Sequence, residues 1–189
     1  AGYEDILELP DHQIGEILDG ELVVSPRPRP RHANAATQII PDIYGYSGPP
    51  GDGSEPGGWW ILFEPELHLG GDVLVPDIAG WRLERMPDLP ADDAFFTLVP
   101  DWVCEILSPS TARLDRVFKK PIYAARGVEF LWLVDPASRT LEVLRNSGEF
   151  YREIDVFQGD EQVRAAPFEQ VRLNLHRWWR TRTTEESQR

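Results

Sequence analysis

The chain has 189 residues, of which 41% are apolar, and one cysteine, so it can bury a core but cannot form an internal disulfide or a cysteine-based zinc cluster. No apolar run approaches the roughly 18 residues that span a bilayer, and residues 1–5 do not resemble a signal peptide, so we expect a cytoplasmic protein without a membrane segment. The net charge of −13 disfavours broad phosphate binding, although such a charge also simply keeps a protein soluble.

The first half of the chain predicts a hairpin, a helix and two further strands. Asp19-Gly20 favours a type I′ turn, and the proline–arginine alternation over residues 26–31 excludes a helix there. Pro41 is expected to stop or kink the helix that follows. In chain order, the predicted elements are a helix at 3–8, strands at 14–18 and 21–25, a helix at 32–40, and strands at 59–69 and 73–81.

The second half predicts a strand–helix–strand unit followed by a meander. Residues 102–107 are almost wholly apolar, which favours a strand that is buried on both faces. A parallel partner reached through the next helix would complete a right-handed crossover. After an irregular segment at 82–100, the predicted elements are a strand at 102–107, a helix at 111–126, strands at 129–134, 141–144 and 150–157, and a helix at 173–180.

These elements together predict an α/β fold. We expect a central mixed sheet flanked by helices, with an N-terminal hairpin and a C-terminal strand meander. Residues 1–180 are expected to form one domain, and residues 181–189 a disordered tail.

Two carboxylates lie within or beside apolar segments. Asp77 follows Pro76 on one predicted strand, and Glu105 interrupts the next. A buried ionised carboxylate is costly unless a cation, a proton or hydrogen bonds compensate it. If the strands are neighbours, both acids can converge on Mg²⁺ or Mn²⁺, with Glu64 as a third candidate ligand. The alternatives are a polar strand edge for Asp77 and a buried ion pair for Glu105.

The predicted helix 111–126 carries Asp115, Lys119 and Tyr123 on one face, four residues apart. Lys119 can point back at Glu105 and assist catalysis, or form a solvated pair with Asp115. Pro121 complicates this helix, because a proline inside a helix costs about 3 kcal/mol.

Phosphate contacts are expected from basic residues near these acids. One cluster holds Arg27, Arg29 and Arg31, and the other is formed by Arg113, Arg116, Lys119 and Lys120. We expect His32, Arg31 and Lys120 to bind substrate.

Several other residues have simpler interpretations. Glu16 and Glu21 flank the hairpin turn and are expected to face solvent. Cys104 is interpreted as a core residue, and the tryptophan pairs at 59–60 and 178–179 as packing.

At these residues the chain resembles the Uma2 family, restriction-endonuclease-like proteins of the PD-(D/E)xK superfamily. The similarity runs over about residues 5–145 and implies a four-stranded mixed sheet with helices on both faces. It also implies that Asp77 and Glu105 are the metal-binding acids. The resemblance is carried by residues 18–24, His32, Val75-Pro76-Asp77, residues 103–111, Asp115, Lys119, Tyr123, Gly127-Val128 and residues 131–136.

One departure from the superfamily pattern concerns the lysine. The superfamily places it two residues after the second acid, where this chain has Leu107. Lys119 would then serve from the next helix, as the Uma2 pattern itself suggests. The first-helix acid of the superfamily has three rival candidates, namely Glu16, Glu21 and Glu64.

The sequence therefore predicts a Mg²⁺- or Mn²⁺-dependent endonuclease that acts on nucleic acid, expected to be DNA. A homodimer is expected, with the meander beyond residue 139 as an interface. Two alternatives stay open: a non-catalytic binding or regulatory protein on the same fold, which the charge of −13 favours, and a metal-dependent phosphoesterase with another substrate.

Overall fold

The computed structural model describes residues 1–26, 29–51, 55–90 and 92–180, so Arg27 and the predicted tail at 181–189 lie outside the described residues. The helices are α1 (Tyr3–Leu7), α2 (Pro30–Ile43), a π-helix (Leu114–Lys119), α3 (Lys120–Arg126) and α4 (Leu175–Trp178). The strands are β1 (Gln13–Leu18), β2 (Glu21–Pro26), β3 (Trp59–Phe63), β4 (Leu67–Leu69), β5 (Asp72–Leu74), β6 (Ile78–Arg82), β7 (Trp102–Ile106), β8 (Phe130–Asp135), β9 (Thr140–Asn146), β10 (Tyr151–Gln158), β11 (Gln162–Val163) and β12 (Leu173–Asn174).

The central sheet has six strands in the order β10-β9-β8-β7-β6-β3. Strands β7 and β8 are parallel and are joined through the π-helix and α3, whereas the neighbouring pairs on either side are antiparallel. The predicted mixed sheet and the strand–helix–strand unit are confirmed. The sheet is wider than the four strands that the family resemblance implies.

A second sheet of four strands, in the order β2-β1-β5-β4, contains the N-terminal hairpin. The predicted turn is confirmed, since Asp19 and Gly20 have φ angles of 50° and 80° and a type I′ turn requires both to be positive. The strand β1 lies between β2 and β5, so the hairpin is built into a sheet and is not an exposed appendage.

The predicted single strands 59–69 and 73–81 are wrong, because each one breaks and changes sheet. Strands β3 and β6 pair in the six-stranded sheet, whereas β4 and β5 pair in the four-stranded sheet. Both breaks contain a proline, Pro65 or Pro76, which has no N–H for a ladder hydrogen bond. The Glu64 N–H donates to the Asp77 carbonyl over 3.0 Å, so the two breaks lie side by side. Asp77 therefore lies in a bend between the sheets.

Helices cover both faces of the six-stranded sheet. Cys104 lies in the core that contains Trp178 of α4, whereas Val103 lies in the opposite core with Tyr123 of α3. Cys104 and Trp178 are buried, as predicted. Since side chains alternate along a strand, Glu105 lies on the same side as α3.

The helix predicted at 111–126 is confirmed in extent, but its first part is π-helical. The Lys120 N–H donates to the Asp115 carbonyl, five residues back. Pro121 follows directly and occupies the first turn of α3, where its missing N–H costs little. The helix therefore widens before Pro121, and the wide turn carries Asp115 and Lys119.

The C-terminal helix is shorter than predicted, because Leu173–Asn174 pairs as β12 with β11 and only Leu175–Trp178 is helical. Over the described ranges, none of the helices has the length and apolar character needed to cross a bilayer.

Candidate active site

A small open pocket lies where the two sheets diverge. Its volume of about 70 Å³ is room for several water-sized groups. The hairpin, α2, the bend before β6, the end of β7 and the π-helix all contribute to its wall. Its ionisable side chains include Glu16, His32, Asp77, Glu105, Asp115 and Lys119.

Asp77 is held across the pocket from two sides. Its Oδ2 accepts the Ile106 N–H over 2.6 Å, and its Oδ1 lies 3.0 Å from His32 Nε2. The first contact ties the bend between the sheets to the end of β7. The second comes from the first turn of α2, so His32 contacts a site acid directly.

Glu105 is almost fully buried, with 2% of its surface exposed. Its Oε1 accepts hydrogen bonds from Lys119 Nζ over 2.7 Å and from Tyr123 Oη over 2.6 Å. The structure therefore brings Lys119 back onto Glu105 from the following helix. Glu105 therefore forms the buried ion pair that was one alternative in the sequence, and it also lines the pocket.

Lys119 is the central cation of the pocket. Besides Glu105, its ammonium contacts Glu16 Oε1 at 3.0 Å and the Val75 carbonyl at 3.3 Å. Asp115 Oδ1 lies 3.8 Å away. Both Lys119 and Asp115 are buried, so the interpretation of a solvated surface pair is wrong.

The prediction that Glu16 faces solvent is wrong. Glu16 is 3% exposed, and its Oε1 accepts the Val75 N–H over 2.8 Å in addition to binding Lys119. A signal for this was present, since Glu16 is the one charged residue in the apolar run 14–18, just as Glu105 is in its strand. The error came from interpreting these residues as a lone hairpin. A lone hairpin has a face exposed to solvent, whereas β1 lies between two other strands.

Three predicted site residues are not brought to the pocket wall. Glu64 is bonded to Asp77 through its backbone but is not among the lining residues. Arg31 is exposed on the first turn of α2. Lys120 lines a separate groove with Phe150, because it is one residue on from Lys119 and so points elsewhere around the helix.

Burial and charge shift the pKa values of these groups. Burial raises the pKa of Glu105 well above its usual range, and Lys119 only partly offsets this shift. Burial alone would lower the pKa of Lys119, but Glu105, Glu16 and Asp115 outweigh it and raise that pKa. For His32, burial is likewise outweighed by Asp77, which raises the pKa.

Replacing Asp115 with asparagine is expected to stabilise the protein by about 1–3 kcal/mol at pH 8. Burial raises the pKa of Asp115 from 3.8 to about 6. Folding therefore favours the protonated carboxyl of Asp115. This stabilisation is complete below about pH 4 and is lost as the pH rises through about 6. The substituted asparagine has no charge to desolvate, so the gain should vanish near pH 4. Urea denaturation at both pH values measures it.

Asp72→Asn provides the matched control for Asp115→Asn. Asp72 is equally buried, but it accepts the Asp19 N–H and pairs with Arg126 Nη2, each over 2.9 Å. This variant should lose stability at pH 8. A loss of the same size in Asp115→Asn would contradict the prediction.

The pocket offers carboxylate oxygens for a cation. Asp77 and Glu105 both line it, and hard oxygen donors suit Mg²⁺ or Mn²⁺. Among residues 1–26, 29–51, 55–90 and 92–180, no group of three His, Cys, Asp or Glu side chains is already arranged as a metal site.

Comparisons with known proteins agree with this fold. A family model described as "Uma2: Putative restriction endonuclease" matches residues 3–176, which is more of the chain than the similarity seen in the sequence. The crystal structure of "a putative nuclease belonging to DUF820 from Anabaena variabilis ATCC 29413" is similar, with a TM-score of 0.73 and 23% identity. That similarity covers 95% of this chain and 97% of the other. No curated protein matches the chain.

Proposed function

The chain belongs to the Uma2 family, and from this premise we propose that it is a Mg²⁺- or Mn²⁺-dependent endonuclease that hydrolyses phosphodiester bonds in DNA. The family's description as a restriction endonuclease supports a nuclease. The acidic pocket between the two sheets is the observation that supports the metal dependence and the choice of residues.

The charge of the pocket fits a divalent cation. Four carboxylates face Lys119, His32 and the exposed Arg29 there, so acidic side chains outnumber basic ones in a largely buried place. Such charge is costly unless a cation balances it. We assign Asp77 and Glu105 as the residues that would hold the cation, and Glu64 stays a predicted third ligand. When bound, the cation supplies Lewis-acid stabilisation of the charge on a phosphate.

Lys119 has two roles in this proposal. It favours the charged form of Glu105 and holds its side chain in place, because a cation 2.7 Å away stabilises a carboxylate. It also lies close enough to the pocket to neutralise charge on a phosphate or to orient water. Since its ammonium already contacts Glu105, Glu16 and the Val75 carbonyl, it must release one acceptor to bind substrate.

His32 and the arginines near it complete the proposed site. His32 orients Asp77 through the 3.0 Å contact with Oδ1. Arg29 lines the pocket and is exposed, as is Arg31 two residues later, so both can reach a phosphate backbone despite the overall charge of −13. Lys120 is no part of this proposal, because it lines another groove.

Nicking of supercoiled plasmid DNA tests the proposal. The protein should convert plasmid to the open circular form with Mn²⁺ or Mg²⁺, and EDTA should stop the conversion. Glu21→Gln is the control for a general charge effect. It removes an exposed carboxylate from the hairpin and should leave the rate unchanged. Absence of cleavage of plasmid, linear duplex and single-stranded DNA with either cation would overturn the proposal.

A non-catalytic binding protein is the second candidate. The observation that favours it is Leu107, which is buried at the superfamily's lysine position and cannot serve as a catalytic cation. Titration calorimetry with Mn²⁺ separates the two, since heat that disappears in Glu105→Gln supports a metal site at the pocket. No binding, or binding indifferent to that change, favours the non-catalytic protein.

A homodimer through the meander stays a prediction. Strand β10 is at the edge of the six-stranded sheet, and its Ile154 and Val156 are 42% and 45% exposed. Analytical ultracentrifugation tests it, and sedimentation as a monomer alone would contradict it.

A further inference from the structure

Tyr123 contacts the site without lining the pocket. Its ring is fully buried in the core between the sheet and α3, and its hydroxyl donates to Glu105 Oε1 over 2.6 Å. It follows Lys119 by four residues, so the two donors project from the same face of one helix. A group placed in this way can act on the pocket only through Glu105.

The two donors to Glu105 converge on one of its two oxygens. Lys119 Nζ and Tyr123 Oη both bind Oε1, at 2.7 and 2.6 Å. Neither of these two contacts involves Oε2. Since Glu105 lines the pocket, Oε2 is the oxygen left for a ligand there.

We propose that Tyr123 is a positioning residue for the metal site: together with Lys119 it clamps Glu105 by Oε1, so that Oε2 is presented to the pocket as a ligand oxygen. This inference rests on the proposed function, and it adds how the Glu105 side chain is held in place as a metal ligand. Hydrogen bonds from neighbouring groups to metal-ligating carboxylates typically change metal affinity by about 10–100-fold. The hydroxyl also stays protonated, because burial and the nearby Glu105 raise the pKa of Tyr123 well above its usual range.

The chain offers a matched control in Tyr151. Its hydroxyl donates to the Val128 carbonyl over 2.8 Å, at the end of the same helix, and does not contact the pocket acids. Tyr151→Phe therefore removes a partly buried hydroxyl that donates a hydrogen bond in the same part of the fold. Tyr123→Phe removes the clamp on Glu105 and leaves the ring in place.

The test is a calorimetric titration of each full-length variant with Mn²⁺ alone, with thermal melting recorded in parallel. Both variants should lower the melting temperature, since each removes one hydrogen bond inside the fold. Tyr123→Phe should also weaken Mn²⁺ binding about tenfold or more, whereas Tyr151→Phe should bind Mn²⁺ like the wild type. In plasmid nicking, the Mn²⁺ concentration for half-maximal rate should rise for Tyr123→Phe without a change in the KM for DNA.

The outcomes separate the inference from the proposed function. If the wild type binds no Mn²⁺, the proposed metal dependence falls and the inference falls with it. If the wild type binds Mn²⁺ and Tyr123→Phe binds it equally well, only the inference is overturned. The same holds if both variants weaken binding to the same extent, because the hydroxyl would then have a purely structural role.

A second measurement keeps the inference testable if Tyr123→Phe does not fold. With 3-fluorotyrosine incorporated in place of tyrosine, Mg²⁺ should shift the fluorine resonance of residue 123 and leave that of residue 151 unchanged. Equal shifts, or no shift at residue 123 under saturating Mg²⁺, would overturn the clamp.

Discussion

Asp77→Asn is expected to lower the rate of Mn²⁺-dependent DNA cleavage by about a hundredfold or more. Metal-assisted stabilisation of the phosphate is worth several kcal/mol, and each 1.36 kcal/mol corresponds to about tenfold in rate. The asparagine keeps the size of the side chain but removes one ligand charge. It also places an NH₂ group against either the Ile106 N–H or His32 Nε2, both of which contact Asp77.

The control for Asp77→Asn is Asp101→Asn. Asp101 Oδ2 accepts the Arg82 N–H over 2.9 Å, much as Asp77 accepts that of Ile106, and it pairs with Arg82 and Arg85. It does not line the pocket. This variant should lose stability yet cleave at the wild-type rate per folded molecule. Equal cleavage by wild type and Asp77→Asn, with the same Mn²⁺ dependence, would remove Asp77 from the proposed metal site.

The burial of Glu105 could be predicted, because a single charge interrupts an apolar strand there. Glu105 lies in a strand without another charged residue, and alternation predicts that it shares a face with Val103 and Leu107. The structure shows that α3 covers this face. The spacing of Lys119 and Tyr123 then put both donors on one helical face. The structure unites them on Glu105 Oε1.

The errors arose where a strand's environment depends on distant partners. Period-two patterns cannot show that β1 is sandwiched between β2 and β5, so Glu16 was assigned to solvent and its contact with Lys119 was missed. The strand breaks at Pro65 and Pro76 carried a readable signal, since proline cannot donate to a ladder. What it could not show is that the two halves of each run pair in different sheets, which is what creates the bend that holds Asp77.

Lys120 shows the same limit on a smaller scale. Its charge and its position beside Lys119 suggested a shared role. On a helix, however, adjacent residues point in different directions, so burial of Lys119 turns Lys120 toward another groove. The pair now serves as an internal comparison between a buried and a partly exposed lysine.

Lys119→Met is expected to destabilise the protein by about 3–5 kcal/mol at pH 8. The methionine fills a similar volume but leaves Glu105, Glu16 and Asp115 buried without their shared cation. A buried charge without its partner is far more costly than an exposed one. Lys120→Met, on the next residue, should change the free energy of unfolding by no more than about 0.5 kcal/mol.

The pH dependence of the Lys119→Met loss distinguishes an electrostatic cause from a packing defect. Burial already raises the pKa of Glu105 well above its usual range and that of Asp115 to about 6, and Lys119 opposes both shifts. Without Lys119 both values should rise further. A carboxyl group whose pKa is raised by folding is stabilising while protonated and loses that contribution as the pH rises through its folded pKa. The deficit of the variant, measured by urea denaturation, should therefore be small near pH 4 and grow through pH 6 to pH 8. A deficit that is constant over this range would mean that Lys119 contributes by packing. It would also remove the main argument that Lys119 favours the ionised acids that the proposed metal site requires.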